Sequence, residues 1–258
     1  MTSIEPEEYY AALAEQTAHL AVAVRDADQR LTIPTCPDWT LGRLAQHVGR
    51  AHRWAAAVVE QQSLTPVDSK KLDDMRIPED AKGRVDWLQA GAARVVAAIR
   101  ETGPETTVWT WAGVQPAMFW ARRMTHETAI HRADAELALG RAFMLSPQLA
   151  ADGISEWFTL LASAHLAERS GAPPITDGTR MHLHATEDEL GKAGEWLVHG
   201  TPSGFEWEHE HAKGEVGVRG PASGLLLVMM RRLPRTHPGV EVLGNGAVLD
   251  RWLEHTSF

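Results

Sequence analysis

The sequence lacks the features that mark most secreted, membrane-spanning and nucleic-acid-binding proteins. It contains a single cysteine, Cys36, which excludes an internal disulfide and is typical of a cytoplasmic protein. No stretch of about 18 apolar residues occurs and the acidic first residues lack the apolar core of a signal peptide, so we expect neither a membrane span nor secretion. The net charge of −9 disfavours nucleic acid or an anionic membrane as the main partner. What is present, 44% apolar and 23% charged residues, predicts a soluble globular protein of the cytoplasm.

Apolar residues recur at helical spacing through the first two thirds of the chain. Leu41, Leu44 and Val48, for example, are three or four residues apart, which places them on one face of a helix. Proline-containing segments and a tryptophan-rich stretch over residues 103–113 interrupt this pattern. The spacing predicts helices over residues 5–28, 41–61, 84–102, 116–140 and 144–170.

The pattern changes after Gly171-Ala172-Pro173-Pro174, where polar and apolar residues begin to alternate as they do in strands. We therefore expect an α+β protein with two domains, a helical bundle over residues 1–171 and a small α/β domain over residues 175–258. The expected strands cover residues 180–184, 194–199, 205–211, 215–219 and 239–244, and the expected helices cover residues 222–233 and 247–255.

The stretch from Arg122 to Asp134 contains the first candidate site residues. Glu127 and His131 are four residues apart in a predicted helix, so their side chains lie on one face. Such a pair can bind one divalent metal ion, although on its own it more often forms a solvated ion pair. His126 is five residues from His131, which turns it about 140° away around the helix. A metal site here needs a third ligand from another part of the chain.

His47 is the candidate for that third ligand. It shares the apolar side of the second predicted helix, where a histidine is either a structural core residue or a ligand that points into the bundle. Three protein ligands with open positions are typical of a catalytic metal ion, with zinc as the default for two histidines and one carboxylate, although iron, manganese, nickel and cobalt also fit. Asp134, one turn after His131, is the candidate acceptor for the other imidazole nitrogen if its side chain turns inward.

A second group of histidines lies in the predicted strands. His209 and His211 alternate with Glu208 and Glu210, so both histidines fall on one face of their strand. This pattern has two interpretations, a second metal site or a solvated sheet face. The sequence favours the solvated face because it identifies no further ligand nearby.

Several of these motifs resemble the mycothiol-dependent maleylpyruvate isomerase family. In the first part of the chain they are Trp39-Thr40 followed by Leu44 and His47, then Trp120 and the cluster of His126, Glu127, His131, Arg132 and Asp134. In the second part, the motif Val218-Arg219-Gly220-Pro221-Ala222-Ser223 is followed by an apolar helix and by Val240-Glu241-Val242-Leu243-Gly244. The resemblance covers nearly the whole chain.

The resemblance implies a DinB-like four-helix bundle followed by a sterol-carrier-protein-like domain. It places the metal ligands at His47, Glu127 and His131, and mycothiol would be the cosubstrate. It also implies an arginine of the second domain near the active site, with Arg219 as the first candidate and Arg231 as the second. The residues expected around the pocket are Asp134, His126, Trp39 and Trp120, although packing is the alternative role of each tryptophan.

Three functions remain as hypotheses. The first is a metal-dependent enzyme that uses mycothiol for isomerisation of, or S-transfer to, an electrophilic small molecule. The second is a hydrolase or lyase in which the metal ion activates water. The third is a non-enzymatic carrier of a small apolar molecule. We expect a monomer, because no extended apolar stripe is left over once the bundle is closed.

Overall fold

The computed structural model describes residues 4–163 and 173–256, which form two compact units. One unit runs from Ile4 to Phe143 and the other begins at Met144. In the described part of the chain, no helix combines the length and the apolar character that a bilayer crossing requires.

The first unit is a four-helix bundle. Its helices are α1 (Pro6–Arg25), α2 (Leu41–Glu60), α3 (Ala81–Thr102) and α4 (Met118–Ala138). Helices α2 and α3 are each capped at the N-terminus by a side chain that accepts a hydrogen bond from a backbone N–H without a partner inside the helix. The Thr40 side chain accepts from Arg43 N at the start of α2, and the Asp80 side chain accepts from Gly83 N at the start of α3. The predicted bundle is confirmed.

Two short hairpins join these helices where the sequence predicted irregular connections. Strand β1 (Thr32–Ile33) pairs with β2 (Cys36–Thr40), and β3 (Thr107–Thr110) pairs with β4 (Gly113–Pro116), both antiparallel. The first hairpin matters for the site, because it lies directly before α2 and carries Thr35 and Trp39.

Helix α4 is the most enclosed helix of the bundle. A surface helix has one polar face, but α4 buries polar and charged residues as well as apolar ones. Because buried polar groups are costly without partners, each of these side chains requires a specific contact. The buried polar residues are Arg123, Thr125, His126, Thr128, His131, Arg132 and Asp134.

The second unit combines one mixed sheet with helices. The helices are α5 (Pro147–Leu161), α6 (Ala222–Met229) and α7 (Gly246–His255). The strands are β5 (Arg180–Ala185), β6 (Glu195–Thr201), β7 (Gly204–Glu208), β8 (Val216–Gly220) and β9 (Glu241–Gly244). Their order across the sheet is β7-β6-β5-β8-β9, and all neighbours are antiparallel except β5 and β8, which are parallel. The predicted α+β class is confirmed.

The division between the units differs from the predicted boundary at residues 171–175, of which Gly171 and Ala172 lie outside the described residues. The chain divides between Phe143 and Met144, so α5 belongs with the sheet. In the second unit Trp196 Nε1 donates to Ser155 Oγ at 2.9 Å, and the ring centroids of Phe158 and Trp252 lie 5.4 Å apart. Helical periodicity reveals that α5 has a buried face but not which core covers it. Residues 164–170 of the predicted helix also lie outside the described residues.

Candidate metal centre

Three side chains from two helices of the first unit converge on one another. His47 comes from α2, and Glu127 and His131 lie one turn apart on α4. Nε2 of His47 lies 2.9 Å from Glu127 Oε1, and Nε2 of His131 lies 3.3 Å from the same oxygen. One donor atom from each residue lies within 4.8 Å of the others, so a single cation can contact all three after small side-chain movements.

Glu127 is held as a carboxylate by its neighbours. Its second oxygen, Oε2, accepts a hydrogen bond from the buried Arg123 guanidinium at 3.1 Å. Burial opposes the charged form, but hydrogen bonds from His131 and His47, with the charges of His131 and Arg123, outweigh it and hold the pKa of Glu127 well below its usual range. The group is therefore anionic at neutral pH, as a metal ligand must be.

His131 lies between two carboxylates. Its Nδ1 donates to Asp134 Oδ2 at 2.9 Å, while its Nε2 faces Glu127. Burial lowers the pKa of this imidazole, but the hydrogen bonds to Asp134 and Glu127 dominate and raise it to about 9. A cation that binds Nε2 must displace this proton, and the Nδ1–H to Asp134 would remain to fix the ring.

Asp134 is itself oriented from the first hairpin. Its side chain is fully buried and faces inward, and its Oδ1 accepts a hydrogen bond from Thr35 Oγ1 at 2.5 Å. This chain of contacts, from Thr35 through Asp134 to His131, is the arrangement that commonly orients a metal-binding histidine.

Trp39 covers one side of the centre. Its ring centroid lies 4.8 Å from that of His47 and 5.8 Å from that of His131, and its plane is within 21° of the His131 ring. The His47 side chain is 39% exposed and the His131 side chain 11%, so the centre opens to solvent beside His47. Two imidazoles and one carboxylate with an open side form a donor set that fits a catalytic divalent ion, zinc first.

Comparison with known families identifies the group to which the chain belongs. Residues 10–136 match the sequence model of the mycothiol maleylpyruvate isomerase N-terminal domain, and residues 148–251 match that of the C-terminal domain of the same family. The chain belongs to the mycothiol-dependent maleylpyruvate isomerase family. The resemblance seen in the sequence is thereby confirmed, and the gap between the two matches brackets the observed division after Phe143.

Solved structures show the same fold. The crystal structure of the mycothiol-dependent maleylpyruvate isomerase superposes with a TM-score of 0.59 at 17% identity, covering 94% of this chain and 95% of that one. A histidine-to-alanine mutant of the mycothiol-dependent maleylpyruvate isomerase superposes with a TM-score of 0.56 at the same identity and coverage. No curated protein sequence matches the chain.

His126 and Trp120, which the sequence places around the pocket, contact aromatic residues of the bundle. The ring of His126 meets Tyr9 of α1 edge-on, with centroids 6.4 Å apart. Trp120 is fully buried, and its ring lies 5.4 Å from Trp54 and 4.9 Å from Trp111 in an aromatic cluster. Packing therefore accounts for Trp120, whereas Trp39 borders the donor set.

The two candidate arginines lie in the second unit. Arg219 is on β8 with an exposed side chain, and its NH1 is 4.0 Å from Glu241 Oε2 on the neighbouring strand β9. Arg231 follows α6 in a left-handed backbone conformation with φ of 61°. Their role towards the centre stays a prediction.

Two further residues, neither of them predicted from the sequence, contact the ligands or their partners. Arg123 is four residues before Glu127 on α4, and this spacing, which is typical of helical ion pairs, was a usable signal. Thr35 lies in a turn 99 positions from its partner Asp134, and no local pattern indicates such a contact.

Proposed function

We propose that this chain is a divalent-metal-dependent enzyme that uses mycothiol for the isomerisation of, or S-transfer to, an electrophilic small molecule. The observation that carries the proposal is the convergence of His47, Glu127 and His131 on one point, in a family that is named for this thiol. Zinc is the metal that we propose, because two imidazoles and one carboxylate are its usual catalytic set.

The thiol must come from a cosubstrate. Cys36 is the single cysteine of the chain, and it packs partly buried against an apolar cluster of the bundle. When bound at the centre, a divalent cation lowers the pKa of a coordinating thiol, so that the thiolate forms near neutral pH. We place the reaction in the cytoplasm, where low-molecular-weight thiols stay reduced.

The residues of the chain prepare the centre for this chemistry. Asp134 keeps the Nδ1–H of His131 engaged, which leaves Nε2 as the donor atom. Arg123 holds one oxygen of Glu127, so that the other oxygen faces the two histidines. Trp39 closes one side with an apolar face against which a thiol cosubstrate can lie.

The reaction follows from addition of the thiolate to an electron-poor double bond. A sulfur–carbon bond forms while the π electrons move onto the conjugated carbonyl oxygen, and the former double bond rotates freely. Loss of the same thiolate restores the double bond in the other geometry, which is isomerisation. Loss of a different leaving group retains the sulfur–carbon bond, which is S-transfer.

An arginine would bind the substrate carboxylate and stabilise the developing oxyanion. We assign this role to Arg219, with Arg231 as the second candidate. Arg219→Met should lower kcat/KM by at least about tenfold, whereas Arg231→Met should not, because a lost charged hydrogen bond costs about 1.5–3 kcal/mol. The opposite order would assign the role to Arg231.

The test is an activity assay with maleylpyruvate as the first substrate, because the solved relative is a maleylpyruvate isomerase by name. Turnover should require both added mycothiol and bound metal, and His47→Ala, Glu127→Ala and His131→Ala should each abolish it. Metal-dependent turnover of ester or amide substrates without any thiol would instead favour a water-activating hydrolase. Full activity in all three variants would refute the assignment of the centre.

A further inference from the structure

Three histidine side chains of the second unit meet at a single carboxylate. His182 Nε2 lies 2.7 Å from Glu195 Oε2, while His184 Nδ1 and His211 Nδ1 lie 2.6 Å and 3.0 Å from Glu195 Oε1. The ring centroids of His182 and His211 are 5.0 Å apart, and those of His184 and His211 are 5.8 Å apart. Three imidazoles therefore share the two oxygens of one acidic group.

The sheet fixes most of this cluster in place. His182 and His184 are two residues apart on β5, on the face opposite the fully buried Met181 and Leu183. Glu195 begins β6 and is the antiparallel partner of His184, so the two side chains lie on the same face.

His211 reaches the cluster because the segment after β7 is held beside the start of β6. His209 Nδ1 lies 2.8 Å from the backbone carbonyl oxygen of Glu195 and donates to it, which anchors this segment at the start of β6. His211 follows two residues later with an imidazole that is 74% exposed. The two histidines that share a strand pattern in the sequence thus contact different groups of Glu195, His209 its backbone carbonyl and His211 its side-chain carboxylate.

We propose that His182, Glu195 and His211 form a second metal site, which binds a divalent cation of the zinc class. One donor atom from each residue lies within 4.8 Å of the others. Tetrahedral zinc with ligands at about 2.0–2.1 Å places its donor atoms about 3.4 Å apart, so small side-chain movements suffice to admit the ion. Two imidazole nitrogens and a carboxylate oxygen are donors that this class of cation prefers.

The remaining contacts define how the site works. His184 holds Glu195 Oε1 through its own hydrogen bond and so orients the carboxylate, as outer partners of metal ligands do. Because His211 is largely exposed, the cation enters from solvent and keeps a coordination position open to water. The bound ion joins the segment around His211 to strands β5 and β6, which should stabilise the second unit.

Metal stoichiometry on the full-length, tag-free chain tests the site. The wild-type protein should bind two equivalents of Zn²⁺, and Glu127→Ala, which disables the first centre, should retain one. Adding His211→Ala to Glu127→Ala should remove the remaining equivalent, whereas adding His199→Ala should not. His199 is a suitable control because it lies on β6 but pairs with Glu206.

The outcomes separate this site from the centre in the bundle. If only the second site exists, the wild type binds one equivalent, which His211→Ala removes and Glu127→Ala leaves in place. Absence of saturable Zn²⁺ binding in a Glu127→Ala protein with native circular dichroism would overturn the inference. An unchanged affinity for Zn²⁺ after His182→Asn would also overturn it. Loss of an outer partner lowers metal affinity by roughly 10- to 100-fold, and loss of a ligand should lower it by at least as much.

A second readout covers the case in which a variant folds poorly. Zn²⁺ should raise the Tm of Glu127→Ala, and this rise should disappear when His211→Ala is added. His211 is an exposed residue outside the strands, so its replacement leaves the sheet intact. An equal rise of the Tm in both proteins would contradict the proposed ligands.

Discussion

Acidification should destabilise the bundle through His52 in particular. This residue of α2 is fully buried, and its Nε2 donates to Thr128 Oγ1 at 2.8 Å, since the Thr128 hydroxyl itself donates to Met124 O. Burial, followed by the charge of Arg53, lowers the pKa of His52 from 6.5 to about 3. The contact matters for the site because Thr128 is the neighbour of Glu127 on α4.

The magnitude follows from the difference in proton binding between the two states. Below pH 6.5 the unfolded chain takes up a proton at His52, whereas the folded chain does so only near pH 3. The unfolded state binds more protons throughout this interval, so stability falls as the pH falls, by at most about 1.4 kcal/mol per pH unit. Between pH 7.5 and pH 5, this one group should cost about 2 kcal/mol.

Urea unfolding of the wild type and of His52→Gln at both pH values isolates this contribution. Glutamine keeps an amide N–H that can donate to Thr128 but does not titrate. Because all other groups cancel in the comparison, the wild type should lose about 2 kcal/mol more than the variant between pH 7.5 and pH 5. Equal losses in the two proteins would refute the burial of a neutral His52.

Two further predictions concern the same unit. Metal binding at pH 7.5 should release about one proton from His131, because the pKa of this imidazole is about 9. Calorimetry in buffers of different ionisation enthalpy measures this release, which should be clearly smaller in Asp134→Leu. Equal proton release in the two proteins would contradict the role of Asp134. Gly49→Ala should destabilise the bundle by about 1–3 kcal/mol in thermal unfolding, because the added methyl group would lie 2.0 Å from the Trp87 ring. An unchanged Tm would show that the Trp87 ring moves aside at no cost in free energy.

The helices of the bundle are predictable because their apolar spacing is long and regular. The hairpins are not, since β1 has two residues and β3 and β4 four each, which is too short for alternation to show. The helix α5 was predicted but assigned to the wrong core, because its periodicity is the same whichever unit it packs against.

The residues of the candidate site likewise include some that the sequence predicts and some that it does not. Glu127 and His131 follow from spacing within one helix, and His47 follows from the apolar side of a second helix. Thr35 was beyond prediction because its contact with Asp134 depends on the tertiary fold. The histidines of the second unit show the same limit, since the grouping of His182 and His184 with Glu195 depends on the register of β5 against β6.

The most direct test of the proposed function is the absorption spectrum of the Co²⁺-loaded protein on addition of mycothiol. The measurement uses the His211→Ala background, so that cobalt occupies only the centre formed by His47, Glu127 and His131. We expect a sulfur-to-metal charge-transfer band that saturates at one equivalent of thiol and is absent after Glu127→Ala. A spectrum that mycothiol leaves unchanged, although cobalt is bound at one equivalent, would contradict thiol activation at this centre.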